Sequence, residues 1–146
     1  MGGAKRLTMA RRGSRPAGEG GQEMVEFAIL LPLLLLVALG VLDLGRAFFA
    51  AITITNAARV GARFGMEFPS DNAGIIAATR AEAQGSGIVL TDPTTSTIAV
   101  SCPDVEGCVS NHPIRVTVTY DFSLISGFLF PDPEIPIIRF AEMLIP

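Results

Sequence analysis

The chain is poor in the side chains that catalysis and metal binding most often need. It has one histidine, His112, and two cysteines among its 146 residues. No nucleophile, acid and base set can be assembled around this histidine, which precedes Pro113 in a predicted loop. No glycine-rich loop follows a predicted strand in the pattern that cradles a phosphate. We therefore expect neither an enzyme nor a bound cofactor.

The two cysteines, Cys102 and Cys108, enclose a short loop rich in turn-forming residues. Zinc is one interpretation, but a structural zinc site needs four ligands and His112 is the sole histidine that could join the cysteines. In an exported, oxidising compartment a disulfide is simpler, and in so short a loop it would contribute about 2 kcal/mol. We predict a disulfide and no metal.

Charge is missing from one stretch, since residues 27–42 contain no Asp, Glu, Lys or Arg. A helix from about residue 25 to residue 44 would span about 30 Å, the thickness of the hydrocarbon core of a bilayer. A removed signal peptide is the alternative, but the run is longer than a usual signal and lacks a small-residue cleavage site at its end. We predict one membrane-spanning helix.

Basic residues precede this apolar run. Residues 1–21 hold five of the eleven basic residues and one acidic residue, so they carry about +4 while the whole chain carries −3. Positive charge next to a membrane span predicts a cytoplasmic N-terminus and an exported C-terminal part. The Gly-rich composition of this segment predicts disorder. Nucleic-acid binding is not expected, because aromatic or groove-reading residues are missing nearby.

The segment Gly-Gln-Glu-Met-Val-Glu-Phe at residues 21–27 resembles the processing site of type IVb pilins and of the TadE-like proteins of the tight-adherence (Flp) pilus system. In that family a prepilin peptidase cuts after a glycine and leaves a glutamate fifth and an aromatic residue sixth in the mature chain. Of the two adjacent glycines, only Gly21 puts Glu26 fifth and Phe27 sixth. The resemblance therefore implies a cut between Gly21 and Gln22.

The resemblance extends to about residue 65, through Pro32, the Asp43 to Arg46 group, and the Ala-Ala-Arg and Gly-Ala-Arg repeats at 57–59 and 61–63. Main pilins of the family are much shorter and usually carry Tyr at the position of Phe27, so this chain resembles a larger, minor pilin or pseudopilin that acts in pilus assembly and adherence. The implied partners are other pilin or TadE-like subunits, the prepilin peptidase, the pilus assembly platform and membrane lipid. The implied location is the bacterial inner membrane or the pilus.

Two charged groups in the helix have predicted roles. The resemblance implies that Glu26, followed by Phe27, sets the register between subunits, because its carboxylate can meet the new α-ammonium on Gln22 of a neighbour. A glutamate that reaches the cytoplasmic headgroups is the alternative. Asp43 and Arg46, spaced i, i+3, can pair and anchor the helix at the exported edge of the bilayer.

Helical periodicity continues past the apolar run, with Ala57, Gly61 and Gly65 at every fourth position. Small residues at this spacing let helices approach closely, so we predict that this face packs against another element. The predicted organisation is a basic leader at 1–21, a long helix at 22–65 and a small exported domain at 66–146.

The exported part changes its periodicity along the chain. Asp71 or Asn72 is placed to cap a second helix, which ends before the Gly-Ser-Gly at residues 85–87. Clean alternation at 114–123 predicts a half-buried strand, and further strands are expected near 98–102 and 135–144, the last at a sheet edge because of Pro136. The predicted fold class is α+β, a long transmembrane helix that extends into a domain with one helix and a short antiparallel sheet.

Two other functions are compatible with these observations. The chain could be an uncleaved, single-pass assembly protein of the same system, or a membrane-tethered periplasmic binding module unrelated to pili. The first alternative differs from a minor pilin only in processing, whereas the second does not require the register between Gly21 and Glu26.

Overall fold

A computed structural model describes residues 19–103, 107–129 and 134–146. Residues 1–18 of the predicted basic leader lie outside the described residues. The fold is α+β, as the sequence predicts, with two helices, a three-stranded antiparallel sheet and one short 3₁₀ helix. These are α1 (Glu19–Glu67), α2 (Asn72–Gly85), β1 (Ser96–Ser101), β2 (Pro113–Ser123), the 3₁₀ helix (Ile125–Leu129) and β3 (Glu134–Leu144).

The chain divides into two compact units between Leu35 and Leu36. The described part of the first unit is the beginning of α1, which includes Pro32. Its large apolar side chains are exposed all around the helix, among them Met24, Leu30 and Leu34. From Gly21 onward, α1 is long and apolar enough to cross a membrane.

The second unit has its core where α1, α2 and the sheet meet. Fully buried residues come from α1 (Ile54), from α2 (Ile75) and from β2 (Ile114, Val116 and Val118). Residues 36–65, which the sequence assigns to the long helix, thus share one core with the predicted exported domain. Burial of these aliphatic side chains, at about 1.5–3 kcal/mol each, is what holds the sheet on the helix.

Helix α2 has the predicted signals at both ends. The Asp71 carboxylate accepts a hydrogen bond of 2.9 Å from the backbone N–H of Gly74, which satisfies one of the free donors of the first turn. At the other end, the N–H groups of Ser86 and Gly87 donate to the carbonyls of Ala83 and Gln84. Gly87 has a φ of 83°, a conformation that favours glycine.

The sheet has the order β1-β2-β3, so the strand predicted from the alternation at 114–123 is central. In the register, Val116 of β2 lies opposite Val100 of β1 and Ala141 of β3, which puts apolar side chains on the face toward the helices. Pro136 lies in β3, an edge strand, and this confirms the prediction made from its missing N–H.

Candidate functional site

The predicted processing site lies in the first turns of α1. Because α1 begins at Glu19, Gly21 and Gln22 are already helical. The side-chain amide of Gln22 donates a 3.2 Å hydrogen bond to the Glu26 carboxylate one turn later. Residues 21–27 are all exposed, and a Cβ on Gly21 would meet no atom within 4 Å. The processing site and the intersubunit role of Glu26 and Phe27 stay predictions.

Asp43 is the most fully enclosed charged group of α1 in the second unit, with 3% of its surface exposed. Its carboxylate accepts 2.9 Å hydrogen bonds from the backbone N–H groups of Ile125 and Ser126, and a 2.7 Å bond from the Ser126 hydroxyl. A buried carboxylate is costly unless it is paired or hydrogen-bonded, and these donors compensate that cost. Asp43 thus links α1 by hydrogen bonds to the 3₁₀ helix that follows β2.

Arg46 forms the predicted pair with Asp43, with Nη1 lying 3.2 Å from Oδ1. Its guanidinium also donates to the Ser123 carbonyl at 3.4 Å and lies 4.9 Å from the centre of the Phe122 ring. The side chain is about half exposed, so its outer side remains accessible to solvent or lipid. Anchoring at the bilayer edge stays a prediction for this pair, which in the structure joins α1 to the end of β2.

The small residues of α1 pack inside the chain itself. Ala57, Gly61 and Gly65 are all buried. A Cβ on Gly61 would overlap the Thr79 hydroxyl of α2, and one on Gly65 would lie 2.7 Å from Cδ1 of Ile114 in β2. A side chain at either position would therefore force the facing Thr79 or Ile114 side chain to shift. The sequence indicates this close packing but does not identify the elements that pack there.

The cysteines lie after β1 and before β2. Cys102 and Cys108 are joined in a disulfide, with their Cα atoms 5.3 Å apart, while residues 104–106 of the enclosed loop lie outside the described residues. Nδ1 of His112 lies 3.1 Å from the Ser110 carbonyl. Within the described ranges, no group of three or more His, Cys, Asp or Glu side chains is placed to hold a metal ion.

A carboxylate with a lowered pKa lies in the loop before β1. The hydroxyl and the backbone N–H of Thr94 both donate to one oxygen of Asp92, at 2.6 and 2.9 Å. These two hydrogen bonds stabilise the charged carboxylate and lower the pKa of Asp92. Both residues belong to the turn that leads into β1, so this feature is local and structural.

Sequence reasoning did not identify the residues that surround Asp43 and Arg46. Phe122, Ile125 and Ser126 follow Asp43 by about eighty positions, and no local pattern links segments so far apart. The available signal was the predicted end of β2 near residue 123, since the end of a strand must lie beside some other element. The predicted strand end does not identify the element that lies beside it.

Residues 21–63 match the family model described as TadE-like protein. The resemblance seen in the sequence is thereby confirmed for this segment, which contains Glu26, Asp43, Arg46 and Gly61. The match supports a protein associated with a Tad pilus. No curated protein and no solved structure matches the chain.

Proposed function

We propose, from the TadE-like character of residues 21–63, that the protein is a minor pilin or pseudopilin of a tight-adherence (Tad/Flp) pilus. A prepilin peptidase removes the leader after Gly21, and the mature chain acts in pilus assembly and adherence. The observation that carries this proposal is the register at the start of the family match, which begins at Gly21, five residues before Glu26.

The chemistry of the cut explains why the glutamate is at this position. Cleavage creates an α-ammonium on Gln22, at the end of a helix whose dipole is already positive and therefore disfavours a further positive charge. A carboxylate from a neighbouring subunit neutralises it. Glu26 is exposed between the apolar and exposed Val25 and Phe27, so a neighbouring subunit that covers them makes this charge-assisted hydrogen bond stronger than in water.

The proposed location follows from the distribution of charge and apolar surface. The basic residues before α1 remain in the cytoplasm, the apolar part of α1 crosses the inner membrane once, and the second unit is exported. The partners are other pilin or TadE-like subunits, the prepilin peptidase, the assembly platform and lipid. Neither a cofactor nor an enzymatic activity is part of the proposal.

An uncleaved assembly protein is the second candidate, and one observation favours it. Helix α1 begins at Glu19, so the peptide bond between Gly21 and Gln22 lies inside a helical turn. A peptidase must reach an extended backbone, so the first turn would have to unwind before the cut. Glycines at positions 20 and 21 lower the cost of unwinding, because each destabilises a helix by about 1 kcal/mol relative to alanine.

The N-terminal residue of the protein, purified from membranes with and without the peptidase, decides between the two candidates. Gln22 at the terminus only in the presence of the peptidase supports a minor pilin. Met1 at the terminus under both conditions rejects the pilin proposal and favours the assembly protein. A matched pair of variants tests the site of the cut: Gly21→Ala should reduce processing strongly, whereas Gly20→Ala should leave the new terminus at Gln22.

A further inference from the structure

Two large apolar side chains are exposed on the 3₁₀ helix that follows β2. Ile125 is 50% exposed and Phe128 is 76% exposed. The same short helix supplies the donors to the Asp43 carboxylate, so its position against α1 is defined by three hydrogen bonds. The 3₁₀ helix that carries the apolar pair is therefore fixed beside Asp43 of α1.

The position of the 3₁₀ helix beside Asp43 is consistent with the course of β2 along α1. Gly65 lies against Ile114 near the start of β2, whereas Arg46 lies against Phe122 near its end. Between these contacts β2 advances by about 26 Å and α1 by about 29 Å in the opposite direction. The two elements thus run side by side and antiparallel, and β2 ends beside Arg46 of α1.

Large apolar side chains of α1 are exposed at the level where the 3₁₀ helix is attached. Within the second unit, the residues just before Asp43 are large, apolar and exposed: Leu36, Val37, Val41 and Leu42. They belong to the helix that is long and apolar enough to cross a membrane. Because the N–H groups of Ile125 and Ser126 donate to Asp43, the 3₁₀ helix lies beside the end of this segment.

We propose that the 3₁₀ helix is a second membrane contact, in which Ile125 and Phe128 enter the boundary between headgroups and acyl chains. The inference rests on the membrane-spanning part of the proposed function. Apolar side chains on a short surface helix enter this boundary region because burial there removes their surface from water. The half-exposed guanidinium of Arg46, one turn along α1, is placed to contact lipid phosphate at the same level.

Lipid fits this surface better than a second protein chain does. Residues 124–129 carry no charge that would specify a protein partner. A bilayer requires only an apolar surface at the correct level, and the attachment to Asp43 provides that level.

The absence of tryptophan from the chain permits a direct test. The full-length protein is reconstituted into two sets of vesicles, with lipids brominated on acyl carbons either near the headgroup or near the chain ends, and each variant carries one tryptophan. Phe128→Trp reports on the 3₁₀ helix. Phe68→Trp is the matched control, because Phe68 is 51% exposed in the same unit but lies just past the far end of α1. Leu34→Trp reports on the membrane-spanning part of α1.

We expect the brominated lipid to quench the Phe128→Trp variant several-fold more than the Phe68→Trp variant. Quenching of the Leu34→Trp variant alone would overturn the inference and leave the membrane span intact. If no variant is quenched, the membrane-spanning part of the proposed function fails together with the inference. Equal quenching of the Phe128→Trp and Phe68→Trp variants would also overturn the inference. A Phe128→Trp variant that is shielded from an aqueous quencher but is not quenched by lipid would overturn it too, because a protein partner would then cover the 3₁₀ helix.

Discussion

The carboxylate of Asp43 accepts both a backbone N–H bond and a hydroxyl bond from Ser126, a residue 83 positions further along the chain. Asp43 follows the charge-free run of α1, and Ser126 follows the central strand of the sheet. This contact therefore joins the end of the apolar segment to the connection between β2 and β3. A residue predicted from the sequence as an anchor to lipid is also a buried link within the folded unit.

Asp43→Asn tests the strength of this link. The variant keeps the shape of the side chain but removes its charge, and it replaces one acceptor with an amide group that faces an N–H donor. We expect a loss of about 1.5–3 kcal/mol in the free energy of unfolding of the second unit, together with faster hydrogen exchange at the amides of Ile125 and Ser126. Chemical denaturation and hydrogen exchange measure the two effects.

The matched control for this variant is Asp71→Asn, the same change at the cap of α2. Asn and Asp cap helices about equally well, so its effect on stability should be below about 0.5 kcal/mol. Equal losses in the two variants would contradict a special role for Asp43.

Gly61→Ala tests the contact between α1 and α2. The added methyl group would overlap the Thr79 hydroxyl, so we expect a destabilisation of about 1–3 kcal/mol despite the better helix propensity of alanine. Gly45→Ala is the control, because a Cβ there meets no atom within 4 Å, and it should be neutral or slightly stabilising. Combining Gly61→Ala with Thr79→Ala should recover part of the loss; no recovery would place the strain elsewhere.

Glu26→Ala tests the proposed register between subunits. Membrane insertion should be unchanged, since an apolar residue replaces a charged one in an apolar helix. Loss of a charge-assisted contact worth about 1.5–3 kcal/mol predicts a decrease in assembled pilus of about tenfold or more. Pilus yield relative to the membrane-bound pool is the measurement. Glu23→Ala is the matched control, and an equal decrease in that variant would remove the specific role of Glu26.

Asp92 gives a prediction on pH. Because Thr94 lowers the pKa of its carboxyl in the folded state, ionised Asp92 stabilises the turn above the pKa of the unfolded chain. This stabilisation is lost as the pH falls through the lowered folded pKa. NMR titration should give Asp92 a pKa below 3.8, the ordinary value for this carboxyl, and Thr94→Val should raise it by removing the hydroxyl donor. An unchanged pKa in that variant would assign the shift to the backbone N–H alone.

The elements that depend on local periodicity were predictable from the sequence. Alternation along β2, the cap at Asp71 and the missing N–H of Pro136 each act within a few residues, and all three features are present in the structure. Contacts between distant segments were not predictable. Gly61 indicates that something approaches α1 closely, but only the three-dimensional fold shows that this is Thr79.

The antiparallel course of β2 along α1 has a consequence for biogenesis. The core-facing side of α1, which includes Ile54, is synthesised well before the strand that covers it. At about 5–20 residues per second, the 83 positions between Asp43 and Ser126 correspond to about 4–17 s of translation. During this interval the core-facing side of α1 is uncovered, and the Asp43 carboxylate lacks the two donors of Ser126. A nascent chain that stalls before residue 126 therefore leaves this side of α1 uncovered by the sheet.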